Sequence, residues 1–105
     1  MEDCSEILLK TSDSIEDAIK VLNSKGLRIA LVVDNKDKLL GTITDGDIRR
    51  AILKKLGMDC LVEEVMKSSP ITALSSDSSG FIISKMKSRN VLHIPIVDEN
   101  NILIG

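Results

Sequence analysis

Moved by 64 positions, the chain falls on itself without a gap. Ser12-Asp13-Ser14 meets Ser76-Asp77-Ser78, and Val33-Asp34 meets Val97-Asp98. Ile7, Ile19, Ser24, Leu39 and Gly41 meet Ile71, Ile83, Ser88, Leu103 and Gly105, making ten identities over the 35 positions from 7 to 41. Such self-similarity marks two copies of one supersecondary unit. Whatever the first copy folds into, the second must approximate. The division it predicts is a first repeat over 1–57, a connector over 58–69 and an incomplete second repeat over 70–105. By the same offset, a counterpart of Thr44 to Leu53 would lie beyond Gly105. The expectation is a chain boundary there and not a natural terminus, with Ile102 to Ile104 exposed in an unpaired last strand.

Each copy reads as strand, helix, strand, strand, helix, an α/β (α+β) class of fold. In the first, Glu6 to Leu9 is a candidate strand. Asp13 then caps a helix with Glu16 three residues on, and Ile15, Ala18, Ile19 and Leu22 form its apolar stripe. Gly26 is a stop signal. Ile29 to Val33 is a continuous apolar strand ended by the turn residues Asp34-Asn35. The next strand runs from Leu39 to Ile43. A helix with Ile48, Ala51, Ile52 and Leu56 at helical spacing follows and ends near Gly57. In the connector, Val62, Val65 and Met66 fit one short helical turn before Pro70. The second copy offers strands at Pro70 to Ala73, at His93 to Val97 and from Ile102. Its helix spans about Asp77 to Arg89, with Ile82, Ile83 and Met86 as its stripe and Phe81 beside it, facing a partner.

The chemistry-bearing stretch is Gly41-Thr42-Ile43-Thr44-Asp45-Gly46-Asp47, where a strand hands over to a helix. Thr44 is a favourable N-cap, and Asp47 three residues on can reach back to it. The corner gathers backbone N–H groups, a hydroxyl and two carboxylates. It is either a well-capped helix start or a binding corner, and these residues alone leave both open.

Composition removes several functions. The chain has 14 Lys and Arg against 16 Asp and Glu, net −2, so no basic field recruits nucleic acid or anionic membrane. Phe81 is the one aromatic residue, too few for a base-stacking platform. The apolar runs are too short to span a bilayer and Met1-Glu2-Asp3-Cys4 lacks a signal-peptide pattern, so the expected compartment is the cytoplasm. Cys4 and Cys60 lack metal or redox spacing and read as free thiols. His93 is the one histidine, with no nucleophile and carboxylate arranged beside it in sequence, and there is no phosphate-binding lysine loop.

Two tandem copies of this unit, with Gly41, Thr44 and Asp47 in a Gly-x-x-Thr-x-x-Asp pattern, resemble a cystathionine-β-synthase (CBS) domain pair. The second copy adds the apolar strand with an internal proline, His93-Ile94-Pro95-Ile96-Val97-Asp98. The wording Thr-Asp-Gly-Asp-Ile-Arg-Arg is similar to pairs associated with sugar-phosphate nucleotidyltransferases and, second, with arabinose-5-phosphate isomerases. The resemblance implies adenosine nucleotide binding (AMP, ADP or ATP) in a cleft between copies, with no cofactor required. It implies that Asp47 accepts both ribose hydroxyls, that Thr44 meets the ribose–phosphate region, and that Thr42 lines the wall. Ile71 and Thr72 would flank the base, while Leu92, His93 and Pro95 close the other side, with His93 near phosphate. His93 also reads as a core histidine, and Pro95 as a strand position without a ladder partner. By the offset, Ile7, Leu8, Arg28 and Leu31 would serve a second, incomplete cleft. Arg49, Arg50, Lys54 and Lys55 read as a solvated face or as phosphate or subunit contacts.

The leading expectation is a non-catalytic regulatory module, homodimeric through its helices, acting on an attached or partner enzyme such as a nucleotidyltransferase. The alternative is a structural dimerisation domain with an empty cleft. A third reading, an enzyme using Asp45 and Asp47 as paired carboxylates, finds no substrate pocket of its own in the sequence.

Overall fold

The computed structural model describes residues 5–24 and 28–105. Cys4 and the stop signal at Gly26 lie outside the described residues. The elements are β1 (Leu8–Leu9), α1 (Ile15–Ser24), β2 (Ile29–Val33), β3 (Leu39–Thr44), α2 (Asp45–Leu53), β4 (Ala73–Leu74), α3 (Ser79–Arg89) and β5 (Ile96–Val97). Short 3-10 turns occupy Ser5–Ile7 and Val62–Glu64.

In the first repeat β2 is central. It pairs parallel with β1, Leu8 opposite Leu31, and antiparallel with β3, Ile29 opposite Thr44 and Ala30 opposite Ile43. Successive side chains of a strand point to opposite faces. Ala30 and Val32 therefore join Leu9, Ile15, Ala18, Leu22, Ile43, Ile48, Ala51 and Val62 in one buried cluster under the helices. Leu31 and Val33 join Ile7, Leu39 and Val97 in a second cluster on the other face. Burial on both faces explains why β2 reads as an unbroken apolar run. Val97 belongs to the second repeat, so this second cluster is where the repeats meet. Ile7 and Leu31, expected at a second cleft, have their side chains buried in this cluster.

The second repeat pairs β4 parallel with β5, Ala73 opposite Ile96. The following segment returns antiparallel, with Val97 bridged to Leu103 and the Ile104 amide donating to Ile96 O at 2.7 Å. It is not an unpaired strand. Its other side joins the first repeat: Leu103 N donates to Asp37 O at 2.8 Å and Leu39 N to Asn101 O at 2.9 Å. Residues 39 and 103, and 37 and 101, are repeat equivalents, so the two bonds are the same bond seen from each copy. The repeats meet across a local two-fold axis.

The repeated residues do the same local work twice. Asp13 accepts the Lys10 amide, and Asp77 the Leu74 amide, both at 2.8 Å. Asp34 accepts the amides of Lys36 and Lys38 at 2.8 and 3.0 Å, and Asp98 those of Asn100 and Ile102 at 2.9 Å each. Ser24 and Ser88 each donate a hydroxyl to the carbonyl three residues back. These polar identities therefore sit at turns and helix ends, where backbone groups need a partner of fixed type.

Several expected boundaries shift. The α1 cap is Ser14 rather than Asp13: Ser14 Oγ accepts the Asp17 amide at 3.2 Å, and Asp17 returns a carboxylate to Ser14 N at 3.0 Å. Asp13 is already committed to Lys10. In the same way Ser78, not Asp77, caps α3, accepting Phe81 N at 3.1 Å. Residues Ser5–Ile7 form a 3-10 turn, leaving β1 only two residues long. Helix α2 stops at Leu53, short of Gly57, because Lys55 turns left-handed at φ 64. The strand expected from His93 begins at Ile96, after Pro95, which has no amide to give to a ladder. Residues 102 and 103 form isolated bridges rather than a full strand.

The connector is structural. Its Cys60 and Met58 carbonyls accept Ile15 N and Glu16 N at 2.9 and 3.1 Å, satisfying free amides of the α1 first turn. Val62 is fully buried, worth roughly 1.5–3 kcal/mol. Cys60 is a free thiol that donates to Glu64 Oε2 at 2.9 Å, and that carboxylate pushes the thiol pKa up. Helix α3, in contrast, buries no residue: Ile82 and Met86 are half-buried, Ile83 and Phe81 are 52% and 54% exposed. Ile52, expected in the α2 stripe, is 55% exposed, since Ile48 and Ala51 already fill the face turned to the core. No helix among the described residues is long and apolar enough to cross a membrane.

Candidate functional site

The site grows from the β3–α2 corner. β3 ends in Thr42-Ile43-Thr44, and the connector docks on its edge: Thr42 N donates to Lys67 O at 3.1 Å and Lys67 N to Thr42 O at 2.9 Å. That approach needs Gly41. A Cβ there would lie 2.6 Å from Met66 Sδ and 2.8 Å from Lys67 O, both too close. The glycine of the Gly-x-x-Thr-x-x-Asp pattern thus lets the connector lie against the strand and places Lys67 beside the corner.

At the corner Asp47 Oδ2 accepts Thr44 N at 2.9 Å and the Thr44 hydroxyl at 3.2 Å, while Arg50 pairs with Oδ1. The Asp47 side chain keeps only 8% of its surface. Asp45, one residue into the helix, faces out and pairs with Arg28, Nη1 to Oδ2, at 2.8 Å. Arg28 sits immediately before β2 with a left-handed φ of 62°.

Between this corner and the second repeat lies a cleft of about 530 Å³. Of the expected residues, Thr42, Thr44, Ile71, Leu92, His93 and Pro95 line it together. Asp47 and Thr72 are not among the lining residues. The Asp47 carboxylate is turned into the helix cap, and the Thr72 carbonyl accepts Lys85 Nζ at 2.6 Å. His93 is exposed at the cleft and is not a core histidine, whereas Pro95 is buried in its wall.

Sequence reasoning missed Arg28, Ile29, Asp45, Gly46, Lys67, Asn90 and Val91, which also line the cleft. Asp45 and Gly46 lie inside the motif already singled out, and Asn90 and Val91 adjoin Leu92, so their inclusion was within reach. Arg28 was expected at the other cleft; its pairing with Asp45 brings it to this one. Nothing in the sequence marks Lys67, whose position depends on the connector docking at Gly41. Arg49, Lys54 and Lys55 are exposed and do not line the cleft, and Arg50 is held by Asp47.

The walls are mixed in a useful way. Ile29, Ile71, Val91, Leu92 and Pro95 supply apolar surface, and Leu92 stands 88% exposed at the rim. Thr42, Thr44 and the start of α2 supply polar groups, and Arg28, Lys67, His93 and Asp45 supply ionisable ones. Apolar walls with a few convergent polar groups suit a small organic ligand, and the N-terminal end of a helix favours anionic groups. Among the described residues no His, Cys, Asp and Glu cluster has the make-up of a metal site.

The CBS domain family model matches residues 4–54 and 62–105. An uncharacterised protein of Rickettsia prowazekii is 36% identical over 106 residues, covering 100% of this chain and 33% of that protein. A homoserine O-acetyltransferase of Methanococcus vannielii is 32% identical over 95 residues, covering 90% and 19%. An arabinose 5-phosphate isomerase of Francisella tularensis is 28% identical over 99 residues, covering 93% and 30%. The chain spans a third or less of the length of these relatives. Among solved structures, the CBS domain pair of protein MJ0100, in complex with 5′-methylthioadenosine and S-adenosyl-L-methionine, superposes with a TM-score of 0.81 at 29% identity, covering 94% of this chain and 77% of that one. A CBS domain protein of Pyrobaculum aerophilum complexed with AMP shares the fold, with a TM-score of 0.82 at 24% identity and 94% and 76% coverage. A family match to nearly the whole chain in two blocks agrees with the internal repeat and with the two-fold joining of its copies. The protein belongs to the CBS domain family, as a tandem pair of CBS repeats.

Proposed function

We propose that this CBS pair is a non-catalytic regulatory module that senses an adenosine nucleotide in the cleft between its repeats. The observation that carries this reading is the cleft itself. It sets apolar walls for a base opposite a helix N-terminus and two cationic side chains suited to a phosphate. The MJ0100 pair, at 29% identity, binds two adenosine compounds, which supports the adenosine class. The proposed contacts are Ile71, Leu92 and Pro95 at the base, Thr42 and Thr44 at the ribose–phosphate region, and His93 toward phosphate. Asp47 and Thr72 serve from behind them or after local movement. Titration calorimetry with AMP, ADP and ATP tests this; absence of heat for all three at millimolar ligand overturns it.

Binding would act on a metabolic enzyme, attached or partner, by shifting how the repeats or subunits pack. The sequence wording leans to a nucleotidyltransferase host. The named relatives carry an acetyltransferase and a sugar-phosphate isomerase, so the host is proposed as a metabolic enzyme without a narrower class. We propose further that the module is a homodimer through its helices. Ile52, Leu53, Phe81 and Ile83 are exposed apolar residues of α2 and α3, and closed two-fold pairing is the common way to cover such faces. Light scattering showing a monomer at tens of micromolar overturns that part.

A second reading, a dimerisation domain with an unused cleft, is favoured by one observation. The Asp47 carboxylate, which the family resemblance assigns to ribose, is already bonded to Thr44 and Arg50. The same titrations decide between the two.

A further inference from the structure

Inside the cleft two opposite charges face each other. Arg28 stands before β2 and Asp45 opens α2; the two meet at 2.8 Å with 75% and 41% of their side-chain surface exposed. So exposed a pair adds little to stability, yet it holds the guanidinium at the cleft. Lys67 is exposed and has no ion-pair partner among the described residues. Arg28 and Lys67 against Asp45 leave the cleft lining net positive, whichever form His93 takes. The positive end of the α2 dipole adds to this. A 5′-phosphate on an adenosine ligand offers Arg28 a doubly charged, forked acceptor in place of one carboxylate. A neutral thioether offers it nothing, and a sulfonium is repelled by Lys67 and Arg28 and attracted by Asp45 alone.

We propose that the Arg28–Asp45 pair is the charge selector of this cleft: Arg28 leaves Asp45 for a ligand phosphate, so the site takes 5′-phosphorylated adenosine in preference to neutral or sulfonium adenosine compounds. The proposal rests on the adenosine reading given above and adds to it which end of the ligand is read, and by which residues. Asp45 competes with the ligand for Arg28 and repels its phosphate, so it lowers affinity for the nucleotide while favouring a sulfonium.

The test is calorimetric titration of the full chain with AMP, 5′-methylthioadenosine and S-adenosyl-L-methionine, for the parent, Arg28→Gln and Asp45→Asn. The parent is expected to bind AMP about tenfold or more tighter than 5′-methylthioadenosine, the worth of one charge-assisted contact. Arg28→Gln is expected to weaken AMP by about tenfold and leave 5′-methylthioadenosine within about twofold. Asp45→Asn is expected to tighten AMP several-fold and to weaken S-adenosyl-L-methionine. Equal or tighter binding of 5′-methylthioadenosine by the parent overturns the proposal. So does an equal loss of AMP and 5′-methylthioadenosine in Arg28→Gln, or weaker AMP binding in Asp45→Asn. Because 5′-methylthioadenosine carries adenosine without phosphate, its binding as tightly as AMP, with AMP still bound, keeps the nucleotide reading while the selector fails. If none of the three ligands binds, both fall.

Discussion

Asn101 donates its side-chain amide to the carbonyl of Leu39 at 2.8 Å, from one repeat to the other. The same residue has a left-handed backbone, φ 65°, as does its repeat equivalent Asp37 at 62°. Asn tolerates that conformation better than most residues because its short amide bonds locally. Asn101→Ala therefore loses a bond between repeats and takes on backbone strain. The expected cost is about 1–3 kcal/mol in urea denaturation. Asn101→Gly removes the bond without the strain and should fall between Ala and parent; equal midpoints for all three would show that the contact does not hold the repeats together.

Gly41→Ala should destabilise by about 1–3 kcal/mol, the usual cost of overpacking a closed contact. The new Cβ meets the Lys67 carbonyl, which is backbone and cannot swing aside. Because Lys67 is then displaced from the cleft, AMP affinity should fall with stability. An unchanged melting temperature would mean that the connector does not dock on β3.

Asp47 and Arg50 separate the cap from the ion pair. Asp47→Ala strips the acceptor from Thr44 N and should cost about 1–2 kcal/mol. Arg50→Ala removes a partner that is 62% exposed and should cost no more than about 0.5 kcal/mol. If the two variants melt alike, the ion pair rather than the cap carries the corner. AMP titration on Asp47→Ala is expected to show at least about a tenfold loss if the ribose is read there; parent-like affinity confines Asp47 to the cap.

Acid should loosen the turns. The amides of Lys38 and then Lys36 hold the Asp34 carboxyl below its ordinary value, and the Ser14 amide and hydroxyl do the same for Asp17. A folded pKa below the unfolded one means stability that is present above the unfolded value and lost as pH falls through the folded one. The loss should begin near pH 4 and deepen below it. Asp34→Asn should flatten that part of the urea-midpoint profile measured from pH 7 to pH 3. A variant profile that keeps the parent's slope would place the acid sensitivity elsewhere.

The fold was legible where residue type answers a local demand. Ser14 and Ser78 cap helices, Asp34 and Asp98 close turns, and Thr44 with Asp47 turns strand into helix. Each uses neighbours within four residues, so its geometry is written in the spacing. For α1 the cap is Ser14 and not the expected Asp13, because both are good capping types. Only the turn before the helix decides which is free.

The site was legible in part for the same reason. Thr42 and Thr44 follow from the corner, and Ile71, Leu92, His93 and Pro95 from the family resemblance carried onto the second repeat. Lys67 and Arg28 were not legible as cleft residues, because what brings them there is the bare face of Gly41 and a salt bridge between residues 17 apart in sequence.

By itself, then, the sequence determined that this chain holds two copies of one α/β unit, with a motif at the end of one strand. Repetition and short-range hydrogen bonding need no knowledge of the whole. Tertiary structure decided which side of β2 joins the repeats, that residues 101–103 close against 37–39, and which charges share the cleft. Those outcomes depend on burial and on close approach between distant segments. The pattern of residues along a chain constrains such approaches but does not specify them.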